Sequence, residues 1–351
     1  MHNNKKLVFF FTNNKVGGAQ RVLLTIAKLL PKDEYESKII IVDRDLGDII
    51  KFIPSDIQYT LIKILNIWDF TTCKILKLLQ NEKPYAVYSS FLYLNSRLII
   101  ASRIVGNTKI IVRSENMFWS FRKDIQLLSI LTLGKADYVI FQTQEMKDSF
   151  KYRIHLNEDK VRVIHNPIDK YSIASKLENA DNPYSFGSID FVYVGRITYS
   201  KGLDVLLKSF SKVLSVIPNS RLTIVGKIEE DFSYYKKLCK LILDLNIFDS
   251  VFFTGFTDNP YKYIKFANCF ILPSRIEGLP NVLLDALYMQ VPVVVTRSVP
   301  VIERLVEKGR GIIINVDDEE DLVKAMIESL KLKISKPYDY PCENKFIELF
   351  A

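Results

Sequence analysis

The feature that most constrains this chain is an alternation, run through twice, of short β-branched or aromatic stretches with amphipathic helical ones. In the first half the strand-like stretches are "KLVFFFT", "SKIIIVD", "AVYSS", "TKIIVRS", "DYVIFQT" and "VRVIHN". In the second they are "IDFVYVG", "RLTIVGK", "SVFFTG", "CFILPS", "VPVVVT" and "GIIIN". Segments such as "AQRVLLTIAKLL", apolar at helical spacing, lie between them. Strands of this kind separated by helices belong in parallel sheets covered on both faces. Two such runs in 351 residues predict an α/β protein of two doubly wound domains. The polar stretch "KYSIASKLENADNPYSFGS" reads as the linker, which sets the domains at 1–170 and 171–351 and allows the last helix to pack back on the first.

Other classes are excluded by what the chain lacks. The longest apolar runs, "LVFFF" and "VPVVV", fall far short of the roughly 20 residues a spanning helix needs. Lys5 and Lys6 precede no credible signal-peptide core or cleavage site, so a secretory leader is not expected. Cys73, Cys239, Cys269 and Cys342 are far apart with no CxxC, which predicts neither zinc site nor disulfide framework and fits a reducing cytosol. Charge is uneven: residues 1–170 hold 26 Lys+Arg against 17 Asp+Glu, and the rest 22 against 23, so the net +8 is +9 and −1. A basic half either faces an anionic membrane surface, is a solvated face, or meets nucleic acid. The third is least supported, because the cations are scattered through amphipathic segments such as "FRKDIQLLSILTLGK" without a recognisable nucleic-acid module.

Ligands of doubly wound sheets bind beyond the carboxyl ends of the strands, and four turns there carry chemistry. After "LVFFFT" comes "NNKVGGAQRVLL", where Gly17 and Gly18 allow close backbone approach at a helix start that favours an anion; the alternative is a tight turn. After "IDFVYVG" comes "RITYSKGLDVLL", with Arg196 and Lys201 on one loop and Ser200 placed to cap the next helix. Two cations beside a helix start make a diphosphate clamp; the alternative is an Arg and a Lys solvated beside a turn. "VRVIHNPID" closes the first domain, with His165 read as a turn residue rather than a base, and Asn166-Pro167 turning the chain. Last, "SRIEGLPNVLLDAL" places Glu277 just before a helix and Asp285 within it.

"GGAQR", "HNPID", "GRITYSKGLDVLL" and "LPSRIEGLPNVLLDAL" followed by "VPVVVT", in this order, resemble the retaining glycosyltransferases of family four. Such enzymes have the GT-B fold, two Rossmann-like domains facing a cleft. The resemblance covers essentially the whole chain and is more specific in the second half. It implies that Arg196 and Lys201 hold the donor diphosphate, and that Glu277 with the backbone N–H groups of Gly278, Leu279 and Asn281 holds the donor sugar hydroxyls. The second acid of the motif, normally Glu, binds the nucleotide ribose; here it is Asp285, shorter in reach by roughly 1.5 Å. Gln20 stands where many relatives carry Glu. Where relatives often place a histidine near the reacting sugar this chain reads "VRSENMF", so Glu115 or Asn116 takes that place. Glu115 orients or deprotonates the acceptor hydroxyl, or pairs with Arg113.

The resemblance also implies transfer from a nucleoside diphosphate sugar, a UDP-sugar first and GDP-mannose second, with retention and without metal or other cofactor. A "DRD" triplet at Asp43–Asp45 mimics a metal signature but follows a strand far from the clamp, and reads as a solvated loop. The expected acceptor is a glycan or lipid-linked oligosaccharide of a capsule or similar polymer, with the enzyme cytoplasmic and peripheral on the inner face of the plasma membrane and no nucleic acid bound. A sugar-nucleotide-binding pseudoenzyme is the alternative.

Overall fold

The computed structural model describes residues 4–12, 17–64, 70–228, 232–306, 309–338 and 342–351. The chain divides into two compact units, one of residues 1–167 with 340–351 and one of residues 168–339. The division therefore falls three residues before the expected boundary, and the last helix belongs to the first unit.

The first unit runs β1 (Lys5–Phe11), α1 (Gly18–Leu29), β2 (Tyr35–Asp43), β3 (Gln58–Lys63), α2 (Thr71–Glu82), β4 (Ala86–Ser89), α3 (Leu92–Val105), β5 (Lys109–Ser114), α4 (Lys123–Thr132), β6 (Tyr138–Phe141), α5 (Gln144–Lys151) and β7 (Val161–Val163). Its strands form one parallel sheet in the order β3-β2-β1-β4-β5-β6-β7. Alternate residues of β1 go to opposite faces, as the strand period requires. Leu7, Phe9 and Phe11 join a core that includes Leu23 and Ile26 of α1, whereas Val8 and Phe10 join one that includes Leu79 of α2 and Leu98 of α3. Strand β3 was not expected from the sequence. It is an edge strand with only Ile62 buried, so its pattern is nearly silent.

The second unit runs α6 (Lys170–Leu177), β8 (Ile189–Val194), α7 (Leu203–Val216), β9 (Ser220–Val225), α8 (Phe232–Asp244), β10 (Val251–Gly255), α9 (Tyr261–Lys265), β11 (Cys269–Leu272), α10 (Asn281–Tyr288), β12 (Val293–Thr296), α11 (Val301–Leu305), β13 (Gly311–Ile314) and α12 (Glu319–Ser329). The sheet is again parallel, ordered β10-β9-β8-β11-β12-β13. The supposed linker is in part structured. Asp169 caps α6 by accepting from the Ser172 N–H at 2.9 Å, Ile173 is buried, and the Lys176 carbonyl accepts from Asn259 at 2.8 Å. The closing helix α13 (Glu343–Phe350) lies on the first unit, where the Phe350 ring is 5.9 Å from Phe9 and 6.1 Å from Tyr88.

Candidate functional site

In each sheet the strand order reverses once, between β1 and β4 and between β8 and β11, and the crevice at such a reversal is where this architecture binds ligands. In the second unit the segments after β8 and after β11 are the ones that carry Arg196, Lys201 and Glu277. They are bound to each other by backbone: Arg275 N–H donates to the Ser200 carbonyl at 2.8 Å. Gly202 is what allows the approach. Its φ is +68°, and a Cβ there would stand 2.0 Å from the Pro273 carbonyl oxygen, so no other residue fits. Ser200 does not cap α7 as expected. That helix starts after Gly202 with no side-chain cap, and the Ser200 hydroxyl instead lies 3.0 Å from that of Thr198.

This approach brings two expected residues into contact. The Lys201 ammonium donates to Glu277 Oε1 at 2.7 Å, with the two side chains only 15% and 9% exposed. The Ser274 hydroxyl donates to the same oxygen at 2.6 Å. Ser274 is buried, and its carbonyl accepts from Thr296 Oγ1 at the end of β12. Two charge-assisted bonds on one oxygen fix the carboxylate and leave Oε2 with no partner among the described residues. The N–H groups of Gly278 and Leu279 also have no partner among the described residues. One fixed acceptor and two backbone donors thus fall on consecutive residues, 277–279, before α10, donor and acceptor types that suit sugar hydroxyls.

Arg196 is exposed just past β8, and its carbonyl accepts from the buried Tyr193 hydroxyl at 2.8 Å. Asn281 is the first residue of α10 and Asp285 lies one turn on; both are half-buried, while Leu283, Leu284, Ala286 and Leu287 face the core. Gly17 and Gly18 belong to the first unit, at the N-cap and first position of α1, where a Cβ on Gly17 would meet the Gln20 amide oxygen at 2.8 Å. The rest of that turn, 13–16, lies outside the described residues.

Arg275 is a residue that sequence reasoning missed. Its guanidinium makes a two-pronged pair with Asp204, 2.8 Å on each side, donates to the Tyr199 carbonyl at 2.8 Å, meets Asp317 at 2.8 Å and stacks 4.0 Å over the Tyr199 ring. These contacts tie the Lys201 turn to α7. Burial pushes the Asp204 carboxyl up, but the Arg275 guanidinium and the Tyr234 hydroxyl more than offset this and hold it below the usual range. The pairing spans 71 residues, and the only signal was an arginine beside the motif acid.

In the first unit, polar groups gather near the carboxyl ends of β4 and β5. Arg113 is fully buried; one nitrogen donates to Asn166 Oδ1, while Nε and Nη1 have no partner among the described residues. Glu115 Oε1 is likewise buried with no partner among the described residues, and the Tyr88 hydroxyl is buried within reach of Ser90 and Arg113. Burial pushes the Glu115 carboxyl up to about 7 against the pull of Arg113, and pushes the Tyr88 hydroxyl up to about 12. Asn116 is exposed. At the end of β2, Asp43 accepts from the Arg44 N–H at 2.7 Å, and Arg44 and Asp45 are exposed. Among the described residues no cluster of three or more His, Cys, Asp or Glu has metal-binding geometry, and no helix is long and apolar enough to cross a membrane.

Comparison with known proteins covers both units. The model for Glycosyl transferases group 1 matches residues 178–344, and that for Glycosyltransferase Family 4 matches residues 16–170. An uncharacterized glycosyltransferase of Methanocaldococcus jannaschii is 33% identical over 251 residues, 66% of this chain and 61% of that protein, so the match spans less than two thirds of its length. The N-acetylgalactosamine-N,N'-diacetylbacillosaminyl-diphospho-undecaprenol 4-alpha-N-acetylgalactosaminyltransferase of Campylobacter jejuni is 26% identical over 355 residues, 94% of this chain and 92% of that one. The crystal structure of Anabaena HepE in complex with UDP-glucose superposes with a TM-score of 0.77 at 17% identity, over 93% of this chain and 90% of HepE. That likeness shows the fold, two Rossmann-like α/β domains.

Proposed function

This chain belongs to the family-four (group 1) glycosyltransferases of GT-B fold, and from that premise we propose that it moves a sugar from a UDP-sugar to a hydroxyl of a lipid-linked glycan in surface-polysaccharide synthesis, with retention at the anomeric carbon. The observation that carries the donor assignment is the Lys201–Glu277–Ser274 contact, which leaves Glu277 Oε2 and the neighbouring Gly278 and Leu279 N–H groups without partners among the described residues. In this reading those groups grip the sugar hydroxyls, Arg196 and Lys201 meet the diphosphate, and Asp285 takes the ribose, with Asn281 at the helix start. The UDP-glucose complex of HepE supports the choice of UDP, and the Campylobacter relative, named for a diphospho-undecaprenol acceptor, supports a lipid-linked one.

The acceptor oxygen attacks the anomeric carbon from the face the phosphate leaves. The bond from that carbon to the β-phosphate oxygen breaks as the new glycosidic bond forms, and the hydroxyl proton passes to the departing phosphate. Charge that grows on the diphosphate is met by fixed cations and backbone dipoles, so the reaction runs without a metal. Glu115, with its carboxyl raised to about 7, accepts a hydrogen bond from the acceptor hydroxyl and orients it until the proton leaves for the phosphate. A lipid-linked acceptor places the enzyme on the cytoplasmic, anionic surface of a membrane.

Thermal-shift measurements with UDP-, GDP- and ADP-sugars test this, because a ligand at a hundred times its Kd adds about 2.7 kcal/mol of stability. UDP-sugars should raise Tm most, transfer should survive excess EDTA, and NMR of the product should show the donor's anomeric configuration. Stabilisation by GDP-mannose alone, or inversion, would replace the reading.

A further inference from the structure

The outward face of α4 is apolar in a way the fold does not use. Leu127 and Leu131, one helical turn apart, are each more than half exposed, and Ile130 beside them is also exposed. Trp119, in the turn before α4, is more exposed still. Ser129 and Thr132 face the other way, and Thr132 Oγ1 donates to Ser96 Oγ of α3 at 3.0 Å. One and two turns beyond Ser96, Ile100 and Ile104 of α3 are exposed as well. The rim is cationic: Lys123 at the start of α4 and Lys135 just past its end enter no ion pair among the described residues, while Arg122 is paired with Asp124 at 3.0 Å.

We propose that α4, with Trp119 and the adjoining face of α3, seats on an anionic bilayer surface, its leucines at the headgroup–acyl boundary and Lys123 and Lys135 among the headgroups. This rests on the reading of a lipid-linked acceptor and names the surface that reaches it. An amphipathic helix with an apolar stripe and lysines at its edges lies in the interface plane in this way, and an exposed tryptophan at its margin is a residue of that boundary. A second copy fits less well, because two-fold pairing of this face would set Lys123 and Lys135 against the same cations. Nucleic acid fits less well again, since the centre of the face is apolar rather than charged.

Flotation of the full chain tests the surface, using vesicles of phosphatidylcholine alone and with phosphatidylglycerol. The unaltered protein should float with the anionic vesicles, less so as salt rises. The double variant Leu127→Gln/Leu131→Gln should lose about tenfold in vesicle affinity, since part of each leucine's burial is removed. Lys123→Gln/Lys135→Gln should lose a similar factor and flatten the salt dependence. Both variants should keep the unaltered protein's Tm and its shift with UDP. If the unaltered protein floats but the leucine variant floats equally well, the surface is wrong while the lipid-linked acceptor stands. If nothing floats, if neutral vesicles serve equally, or if sedimentation shows a dimer that the leucine variant splits, the face is not a bilayer contact.

Discussion

The two units hold polar groups beyond the carboxyl ends of their strands in opposite ways. Around Glu277 the bonds are made: Lys201, Ser274 and Thr296 form one chain of contacts and Arg275, Asp204 and Tyr234 another, and one carboxylate oxygen and two backbone N–H groups are left without a partner among the described residues. Around Arg113 the bonds are less complete: its Nε and Nη1 and Glu115 Oε1 are buried with no partner among the described residues. An unsatisfied buried group costs about 1–3 kcal/mol, so the first arrangement is rigid and set before any ligand arrives, whereas the second is stabilised by whatever completes it. Fixed dipoles need no reorganisation at the moment of bond cleavage, which suits the donor side.

The largest effect should come from the rigid region. Lys201→Ala removes a cation from the diphosphate and strips Glu277 of its ion-pair partner, so kcat/KM should fall about a hundred- to a thousandfold and UDP should bind more weakly. Steady-state kinetics with calorimetric UDP titration check both; unchanged turnover would take Lys201 out of the site.

Glu115 probes the other region through pH. Its folded carboxyl is raised to about 7 from an ordinary value of 4.5, so the native state binds the proton more tightly than the unfolded one. Stability should therefore fall as pH rises from about 4.5 to about 7 and level off above, by about 3 kcal/mol in all. Transfer, which uses the ionised form, should fall as pH drops through about 7. In Glu115→Gln the fall in Tm over this window should vanish and activity should drop at every pH. A pH-independent Tm difference between the two proteins would contradict the buried carboxyl.

Arg275→Met should lower stability by about 1–3 kcal/mol, discounted because Asp204 and Asp317 are partly solvated, and should weaken the donor by loosening the Lys201 turn. Arg275→Lys should not rescue it, because a point charge cannot reproduce the two-pronged pair. Chemical denaturation of the three proteins decides this. The smallest change belongs to Asp285: Asp285→Ala should weaken UDP by about 1 kcal/mol, roughly fivefold, and Asp285→Glu should bind UDP as well or better. Loss of UDP binding in Asp285→Glu would exclude a ribose role.

The strands that the sequence made legible are those buried on both faces, such as β1 and β12, whose apolar runs admit no other element. Strand β3 was not legible because an exposed edge need not alternate, and α6 was hidden in polar composition with Ile173 its one buried residue. Within the site, Glu277 and Lys201 were legible by resemblance, but their contact was not. It depends on Gly202 letting two turns 76 residues apart close on one another. The Arg275–Asp204 pair was illegible for the same reason, and so were the unmet partners of Arg113, since burial of an arginine is set by the whole sheet around it.

The central claim is that Glu277, held by Lys201 and Ser274, presents its other oxygen to the donor sugar and not to the nucleotide. Glu277→Gln keeps an acceptor for both holding bonds while removing the charge, so calorimetric titration of that variant with UDP and with the UDP-sugar separates the two roles. UDP should bind within about twofold of the unaltered protein, while the hydrogen bond to a charged group, about 1.5–3 kcal/mol, should cost the UDP-sugar roughly ten- to a hundredfold. Equal weakening of UDP and UDP-sugar, or no weakening of either, would contradict the account.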